Sequence, residues 1–189
     1  MITPFLFEQT EIPGLILIQP FTARDIRGDF TKDYSKEIFE KNDIDHNLME
    51  VFYTNSYKGV VRALHFQRER QMPKLVRCLS GSIYDVIVDL RKNSHTFKKY
   101  QAFNLTGENK KQLLIPSGCA HGYLVLENSI VSYKCSEKFY AEYDDGIRWN
   151  DPDIGIEWPL DKIDVDVILS EKDIILQTFA EFMDKYGGF

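Results

Sequence analysis

Short apolar segments fill most of the chain between Leu15 and Tyr140, and they constrain its fold more than any other feature. They are rich in Val, Ile, Phe and Tyr and read LILIQP, MEVFYTNS, GVVRALHFQ, KLVRCLSGSIYDVIVDL, KYQAFNL, QLLIP, HGYLVL and IVSYKCS. Their length and residue types predict strands. Ser80-Gly81 is a plausible hairpin turn inside the longest segment. Many short strands separated by turns predict a mostly β fold of the barrel or sandwich type.

Helical patterns occur in only two places. Residues 35 to 43 could form a short helix that begins at Ser35. Residues 170 to 188 predict a longer C-terminal helix, in which Ser170 and Asp173 have N-cap and N3 spacing and Gly187 ends the helix. No repeat, linker or low-complexity stretch divides the sequence, so we expect one domain over residues 1 to 189.

The charge balance and the cysteines exclude several classes of protein. The 23 Lys and Arg residues against 29 Asp and Glu give a net charge of −6, which argues against a nucleic-acid or anionic membrane surface. No apolar run approaches the ~20 residues of a membrane helix. The first residues show no secretory signal, so a cytoplasmic location is expected. Cys78, Cys119 and Cys135 are odd in number and widely spaced, which favours buried free thiols.

The four histidines fall into two groups. His65 and His121 lie in predicted strands among other polar residues, whereas His46 and His95 lie in charged, loop-like stretches that suggest exposed side chains. The first pair are therefore the candidates for chemistry, because imidazole is the side chain best suited to proton transfer near neutral pH.

The strand around His65 suggests the wall of a pocket. Strict alternation places His65 and Gln67 on one face with the small apolar residues Val61 and Ala63. A barrel interior that holds a histidine and a glutamine resembles a pocket more than a packed core. The alternative, a buried and hydrogen-bonded histidine without a functional role, remains open for this segment taken alone.

A metal-binding cupin is a second interpretation of the histidines. Pro116-x-Gly118-x-x-His121 resembles the second half of the cupin signature. In the first half, however, His65-x-Gln67 replaces the usual His-x-His, so an amide stands where an imidazole ligand is expected. Amides are weak ligands for zinc and iron, which argues against a metal centre.

A longer set of motifs makes one resemblance specific. They are Asp25-Ile-Arg27-Gly28-Asp-Phe30, Arg62-Ala-Leu64-His65-Phe66-Gln67, Lys74-Leu75-Val76-Arg77, Gly81, Asp85-Val-Ile-Val88-Asp89-Leu-Arg91, Ser94-x-Thr96-Phe97, Ile115-Pro116-x-Gly118-x-Ala120-His121-Gly122, Tyr133-Lys134, Trp149-Asn150-Asp151-Pro152, Ile156-x-Trp158-Pro159 and Leu169-Ser170-x-x-Asp173. In order and spacing, over about 150 residues, the chain resembles the dTDP-4-dehydrorhamnose 3,5-epimerase family of nucleotide-sugar epimerases.

This resemblance implies a cupin-like jelly-roll β-barrel, a homodimer, and no metal or redox cofactor. The implied substrate is a nucleoside-diphosphate 4-ketosugar, whose ketone acidifies the hydrogens at C3 and C5. Inversion then needs a base on one face, an acid on the other and a group that stabilises the enolate.

The resemblance also implies roles for five residues. His65 would be the base, Asp173 the carboxylate paired with it, and Tyr133 the acid on the opposite face. Lys74 would stabilise the enolate near O4, with His121 as a neighbouring polar contact. Each residue has a plainer alternative: Asp173 could be the N3 residue of a capping box, Tyr133 an inward strand aromatic, and Lys74 a solvated edge residue.

The positions that would bind the nucleotide match less well. The family places arginines on the diphosphate at Arg27 and Arg62, which suits the planar guanidinium. Glu50, Phe52 and Thr54 stand where the thymidine enzymes tend to have Gln, Asn and Ser.

Further differences occur at three other positions. Ile26 stands where Glu is common, Lys138 where a tyrosine is common beside the base, and Ala63 where a glycine usually precedes Leu-His. Together with Arg27, Arg62, His121 and Gln67, the residues Glu50 and Lys138 form the candidate substrate-binding set. A thymidine diphosphate sugar is the expected substrate. Alternatives are a GDP- or CDP-linked mono-epimerase, a 4-ketosugar isomerase and a sugar-nucleotide binder without catalysis.

Overall fold

The computed structural model describes all 189 residues and is mostly β, as predicted. The strands are β1 Ile2–Thr3, β2 Leu6–Gln9, β3 Ile16–Gln19, β4 Phe21–Asp25, β5 Gly28–Lys32, β6 Glu50–Ser56, β7 Val61–Gln67, β8 Lys74–Asp89, β9 Tyr100–Thr106, β10 Gln112–Ile115, β11 Cys119–Cys135 and β12 Asp144–Gly146. The helices are α1 Lys36–Glu40, a 3₁₀ turn at Leu160–Lys162, α2 Glu171–Ile174 and α3 Phe179–Tyr186. No helix has the length and apolar character needed to cross a bilayer.

Two long antiparallel strands, β8 and β11, organise the main sheet. Along its hydrogen-bonded path the strand order is β12-β7-β11-β8-β10-β3-β2, with β6 paired to β11 and β9 paired to β8. One half of β11 pairs with β7 and the other half with β6, while β8 pairs with β9 and β10 in the same way. The two long strands are thus shared by two half-sheets. The path is open, because β12 and β2 end it without pairing to each other. A separate sheet has the order β1-β4-β5.

Three apolar clusters bury the faces of these sheets. The largest contains inward residues of both long strands, among them Val76, Ile87, Tyr123 and Tyr133. A second cluster packs the opposite face of one half-sheet against the C-terminal helices, and a third packs the other half-sheet against α1. The three cysteines are buried free thiols, as predicted. Helices therefore cover the outside of the sheets and leave the interior between the half-sheets for a cavity.

The hairpin predicted at Ser80-Gly81 is wrong, because β8 runs through these residues without turning. Gly81 has a φ of +80°. A Cβ at this position would lie 2.2 Å from the Asn128 carbonyl oxygen. The pairing of β8 with β11 is irregular nearby, between Val125 and Val131. The glycine thus allows β8 and β11 to approach each other closely where their pairing is irregular. A Ser-Gly pair is also typical of turns, which is why the local sequence suggested a hairpin.

The single C-terminal helix predicted over residues 170 to 188 is also wrong, since it is divided into α2 and α3. The backbone of Gln177 forms a parallel bridge with Ile147 and accepts a hydrogen bond from the Arg148 N–H. These contacts hold the intervening backbone out of a helix. Thr178 then starts α3 with a capping box, and Gly187 ends it at a φ of +69°, as the sequence predicted.

Candidate active site

A cavity of about 500 Å³ opens between the half-sheets. Eight of the ten candidate residues line it: Glu50, Arg62, His65, Gln67, Lys74, His121, Tyr133 and Asp173. They come from β6, β7, β8, β11 and α2, which are distant in sequence. Arg27 and Lys138 do not line the cavity. The fold therefore brings the acid, base and cation candidates of one chain into a single enclosure.

His65 and Asp173 form the first polar pair of the cavity. The His65 Nε2 atom lies 2.8 Å from Asp173 Oδ1, and the histidine side chain keeps 28% exposure while the carboxylate is buried at 5%. Oδ1 has no well-aligned hydrogen-bond donor, so the two atoms lie close together without forming an ideal hydrogen bond. Burial opposes ionisation of Asp173, but the interactions with His65, Ser170 and Lys172 together outweigh it and lower the pKa of the carboxyl group. The other ring nitrogen of His65 is left for a ligand in the cavity.

Asp173 lies in the first turn of α2, where capping was the alternative role. Ser170 Oγ accepts a hydrogen bond from the Asp173 backbone N–H at 3.1 Å, so Ser170 caps the helix. No hydrogen bond returns from the Ser170 backbone to the Asp173 carboxylate. The helix cap therefore involves the backbone of Asp173, while the Asp173 side chain pairs with His65.

His121 and Asp85 form a second histidine–carboxylate pair, deeper in the cavity wall. The His121 Nε2 atom lies 3.1 and 3.0 Å from the two Asp85 oxygens, and both side chains are buried. Burial lowers the pKa of His121, while Asp85 acts in the opposite direction. The sequence analysis missed Asp85 as a partner, since β8 and β11 bring the two residues together from 36 positions apart.

Lys74 is the buried cation of the cavity. It is 8% exposed, and it forms no ion pair. Burial lowers the pKa of its ammonium group, opposed by nearby groups that include Cys135, Asp85 and Asp144. A buried lysine without a fixed anionic partner is a donor available to an oxygen that gains negative charge. The alternative that Lys74 is a solvated residue at a sheet edge is wrong, because its side chain is buried.

Tyr133 lies in the half of β11 that pairs with β6, and it is held by aromatic packing. Its ring stacks on Phe52 with centroids 4.9 Å apart and an interplanar angle of 14°. Burial raises the pKa of Tyr133 well above its usual value, and interaction with the Tyr123 hydroxyl adds to the shift. The phenol therefore carries its proton at neutral pH, as a general acid must.

Gln67 and Glu50 shape the mouth of the cavity. The Gln67 amide donates to the backbone carbonyls of Arg70 and Lys138 at 2.7 and 3.1 Å and accepts from the Tyr140 N–H at 2.6 Å. Glu50 accepts a hydrogen bond from the Phe139 N–H at 3.1 Å. These side chains hold the loop at 138 to 140 against the cavity wall. Lys138 contributes its carbonyl there, while its side chain is exposed.

The two arginines expected at a diphosphate have different positions. Arg62 lies in the cavity wall and donates to Ser56 Oγ at 3.0 Å. Arg27 lies in the exposed turn between β4 and β5, where its side chain is 85% exposed and pairs with Asp25. Of these two arginines, only Arg62 can contact a ligand in the cavity of its own chain.

The strict alternation predicted for β7 is wrong. His121 pairs with His65 and Tyr123 with Arg62, so three steps along β7 match two along β11. This irregularity turns Arg62 toward the cavity with His65 and Gln67, while Val61 and Ala63 join the outer core. At the same place a Cβ on Gly122 would lie 2.4 Å from the Ala63 Cβ, so the two strands are in very close contact.

The remaining histidines are outside the cavity. The prediction that His46 is exposed is wrong: it is 3% exposed, and its Nε2 atom lies 2.9 Å from the Lys134 carbonyl oxygen. His95 is exposed, as expected. No group of three or more His, Cys, Asp or Glu side chains has the arrangement of a metal site. The two cavity histidines instead have separate carboxylate partners.

Comparisons with known proteins identify one family. The family model described as dTDP-4-dehydrorhamnose 3,5-epimerase matches residues 9–181. The protein of that name from Methanothermobacter thermautotrophicus is 46% identical over 170 residues, covering 89% of this chain and 91% of the relative. The one from Shigella flexneri is 39% identical over 176 residues, covering 92% and 95%.

Solved structures give the same result. The Bacillus anthracis dTDP-4-dehydrorhamnose 3,5-epimerase, with TDP and PPi bound, has a TM-score of 0.88 and 38% identity, covering 93% of this chain and 100% of that one. The Legionella pneumophila dTDP-6-deoxy-D-glucose-3,5-epimerase, in complex with dTDP-4-keto-L-rhamnose, has a TM-score of 0.87 and 34% identity, covering 93% of each chain.

The fold, the cavity with its paired ionisable groups and the names of these relatives define an isomerase of the racemase and epimerase class. The chain belongs to the dTDP-4-dehydrorhamnose 3,5-epimerase family.

Proposed function

We propose that this protein inverts C3 and C5 of dTDP-4-keto-6-deoxyglucose. The observation that carries the proposal is that one cavity holds the His65–Asp173 pair, Tyr133 and Lys74 together. The names of the relatives support the substrate: the matched proteins are dTDP-4-dehydrorhamnose 3,5-epimerases, and one was solved with dTDP-4-keto-L-rhamnose.

The chemistry follows from the residues of the cavity. The C4 ketone acidifies the neighbouring C–H bonds, and His65 removes one of these protons while Asp173 stabilises the imidazolium that forms. The electrons of the broken bond move to O4, where Lys74 stabilises the enolate. Tyr133 then donates its proton to the carbon from the opposite face, which inverts the centre. Each step is a proton transfer, so the sequence needs no electron carrier.

Solvent exchange is the direct test of this activity. In D₂O the protein should introduce deuterium at C3 and C5 of dTDP-4-keto-6-deoxyglucose, which NMR resolves carbon by carbon. Exchange at one carbon alone would identify a mono-epimerase, and exchange at neither carbon would contradict the proposal. Movement of the carbonyl to C3 with the C5 hydrogen retained would identify a ketosugar isomerase.

We propose further that the protein is a cytoplasmic homodimer, in which the sheet β1-β4-β5 of one protomer completes the cavity of its partner. Two features support the dimer. Met49, Val51, Tyr53 and Tyr57 are exposed at alternate positions on and beside β6, facing away from the cavity. The sheet that bears Arg27 also exposes Ile2, Ile26 and Phe30. A partner would cover these apolar residues and give Arg27 a ligand.

Mixing two impaired variants tests the shared site. Arg27→Ala should weaken dTDP binding, and His65→Ala should stop exchange. When equal amounts are unfolded and refolded together, half of the dimers are mixed, and one of the two sites in each mixed dimer carries both native residues. Activity should therefore recover to about one quarter of the wild-type value under conditions that require Arg27. Activity equal to the mean of the separate variants, or a monomer by light scattering, would contradict the arrangement.

A further inference from the structure

Phe189 lines the cavity but has no role in the chemistry described so far. It follows α3, and two hydrogen bonds fix its backbone. Its N–H donates to the Leu90 carbonyl oxygen at 2.9 Å, and its carbonyl oxygen accepts from the Lys92 N–H at 3.0 Å. The preceding Gly188 has a φ of +88°, and a Cβ there would lie 3.1 Å from the Leu90 oxygen. The segment is therefore held closely against the residues that follow β8.

Aromatic packing fixes the ring of Phe189 at the edge of the outer core. Its centroid lies 5.3 Å from that of Phe66, at an interplanar angle of 82°, and 5.7 Å from that of Phe182. Phe182 is fully buried and does not line the cavity, whereas Phe66 lines it next to His65. The Phe189 ring is thus supported from outside the cavity and forms part of its wall.

Cys119 lies beside the segment that carries this ring. The Leu90 carbonyl oxygen accepts from Phe189, and the Leu90 N–H donates to the Gly118 carbonyl oxygen at 2.9 Å. Cys119 is 6% exposed and also lines the cavity. It lies on β11 two residues before the position that pairs with His65 on β7. The neighbourhood of the proposed base is therefore apolar on this side.

The geometry points to Phe189 as a specificity-determining residue that receives the C6 methyl group of the sugar, an inference that rests on the proposed function. Together with Phe66 and Cys119 it forms what we call the apolar wall. A 4-keto-6-deoxysugar carries one apolar substituent, the methyl group on C5, and His65 removes the proton from that same carbon. The methyl group must then lie close to His65, on the side of the cavity that holds the apolar wall.

The other aromatic residues of the cavity are grouped around β6. Phe52 belongs to β6, Tyr133 stacks on Phe52, the Tyr123 hydroxyl lies 2.8 Å from Thr54 Oγ1, and the Phe139 N–H donates to Glu50. The resemblance to the epimerase family implies that residues 50 to 54 face the nucleotide. Phe66 and Phe189 instead contact each other next to His65, so they are the aromatic residues placed for the sugar.

An apolar wall discriminates between sugars by what they carry at C6. Contact of a methyl group with a phenylalanine ring removes apolar surface from water and is favourable, and a sugar with hydrogen in its place loses this contribution. One methyl group in an apolar pocket typically changes kcat/KM by about 10- to 200-fold. We therefore expect the protein to prefer a 6-deoxyhexose over the corresponding pentose.

The test compares two sugars that differ only at this position. dTDP-4-keto-6-deoxyglucose has the methyl group, and dTDP-4-ketoxylose has hydrogen instead. NMR in D₂O gives kcat/KM for exchange at C3, a carbon that both sugars share. The wild-type protein should favour the methyl sugar by roughly tenfold or more, and Phe189→Ala should reduce this preference to about twofold. Phe189→Leu keeps an apolar side chain and should retain most of the preference.

Phe182→Leu is the control for packing, because it disturbs the same aromatic cluster from outside the cavity. It should lower the Tm and leave the preference between the two sugars at its wild-type value. Equal losses for both sugars in Phe189→Ala would overturn the inference and indicate a structural role. A wild-type protein that treats both sugars alike would overturn it too. If the wild-type protein exchanges neither sugar, the proposed function itself fails.

Discussion

Replacement of His65 by alanine is expected to reduce deuterium exchange at C3 and C5 by roughly a thousandfold or more, because it removes the base that begins each inversion. Asp173 cannot take over this role. Its carboxylate contacts Nε2 of the imidazole, so removal of the ring leaves the carboxylate separated from the sugar by the space that the imidazole occupied. NMR of the sugar in D₂O measures the loss at each carbon separately.

The control for this variant is His95→Ala, which removes an exposed histidine that does not line the cavity and should exchange at the wild-type rate. Calorimetric titration with dTDP should give similar affinities for both variants and for wild type, since the nucleotide is not expected to contact His65. Wild-type exchange by His65→Ala would remove His65 as the base. Loss of dTDP binding together with exchange would point to misfolding.

Replacement of Tyr133 by phenylalanine is expected to lower product formation about a hundredfold and washout much less. His65 can still remove a proton and return deuterium to the same face, so recovered substrate becomes labelled while inversion stops. The ring and its stacking on Phe52 remain, so the cavity keeps its shape. Product and recovered substrate are measured in the same D₂O reaction.

Phe52→Leu provides the matching control for Tyr133, because it disturbs the stacking but leaves the phenol hydroxyl. It should weaken product formation less than Tyr133→Phe does. If Tyr133→Phe reduced washout and product formation equally, Tyr133 would act before proton removal, and its role as the acid would be wrong.

The sequence predicted the β architecture because it depends on local properties. Short apolar segments of β-branched and aromatic residues became strands, and Gly187 ended the last helix. The hairpin and the undivided C-terminal helix were predicted wrongly because contacts with residues distant in sequence determine the backbone conformation at both places. Gly81 has turn chemistry, but Asn128 of the neighbouring strand explains why it is glycine. The break in the C-terminal helix depends on the pairing of Gln177 with Ile147, which no pattern within the helix reveals.

The candidate site was also predicted only in part. Motif resemblance identified the residues of the cavity, but simple alternation placed Arg62 on the wrong face, since the irregular pairing of β7 with β11 is a property of two strands. Asp85 was named only within the resemblance motif and not as a site residue, because its contact with His121 joins strands that are distant in sequence. Asp85 carried a usable signal, since an acidic residue amid Ser-Ile-Tyr-Asp-Val-Ile-Val is unusual for a buried strand.

The close contact between Ala63 and Gly122 has a consequence for how this site can change. The next pair along the same two strands is His65 and His121, so the gap between the strands also sets the gap between the two imidazoles. A position with no side chain thereby sets the spacing between His65 and the neighbouring His121. A change in the separation of these two strands would therefore alter the substrate geometry that the site accepts, while every polar residue of the cavity stays in place.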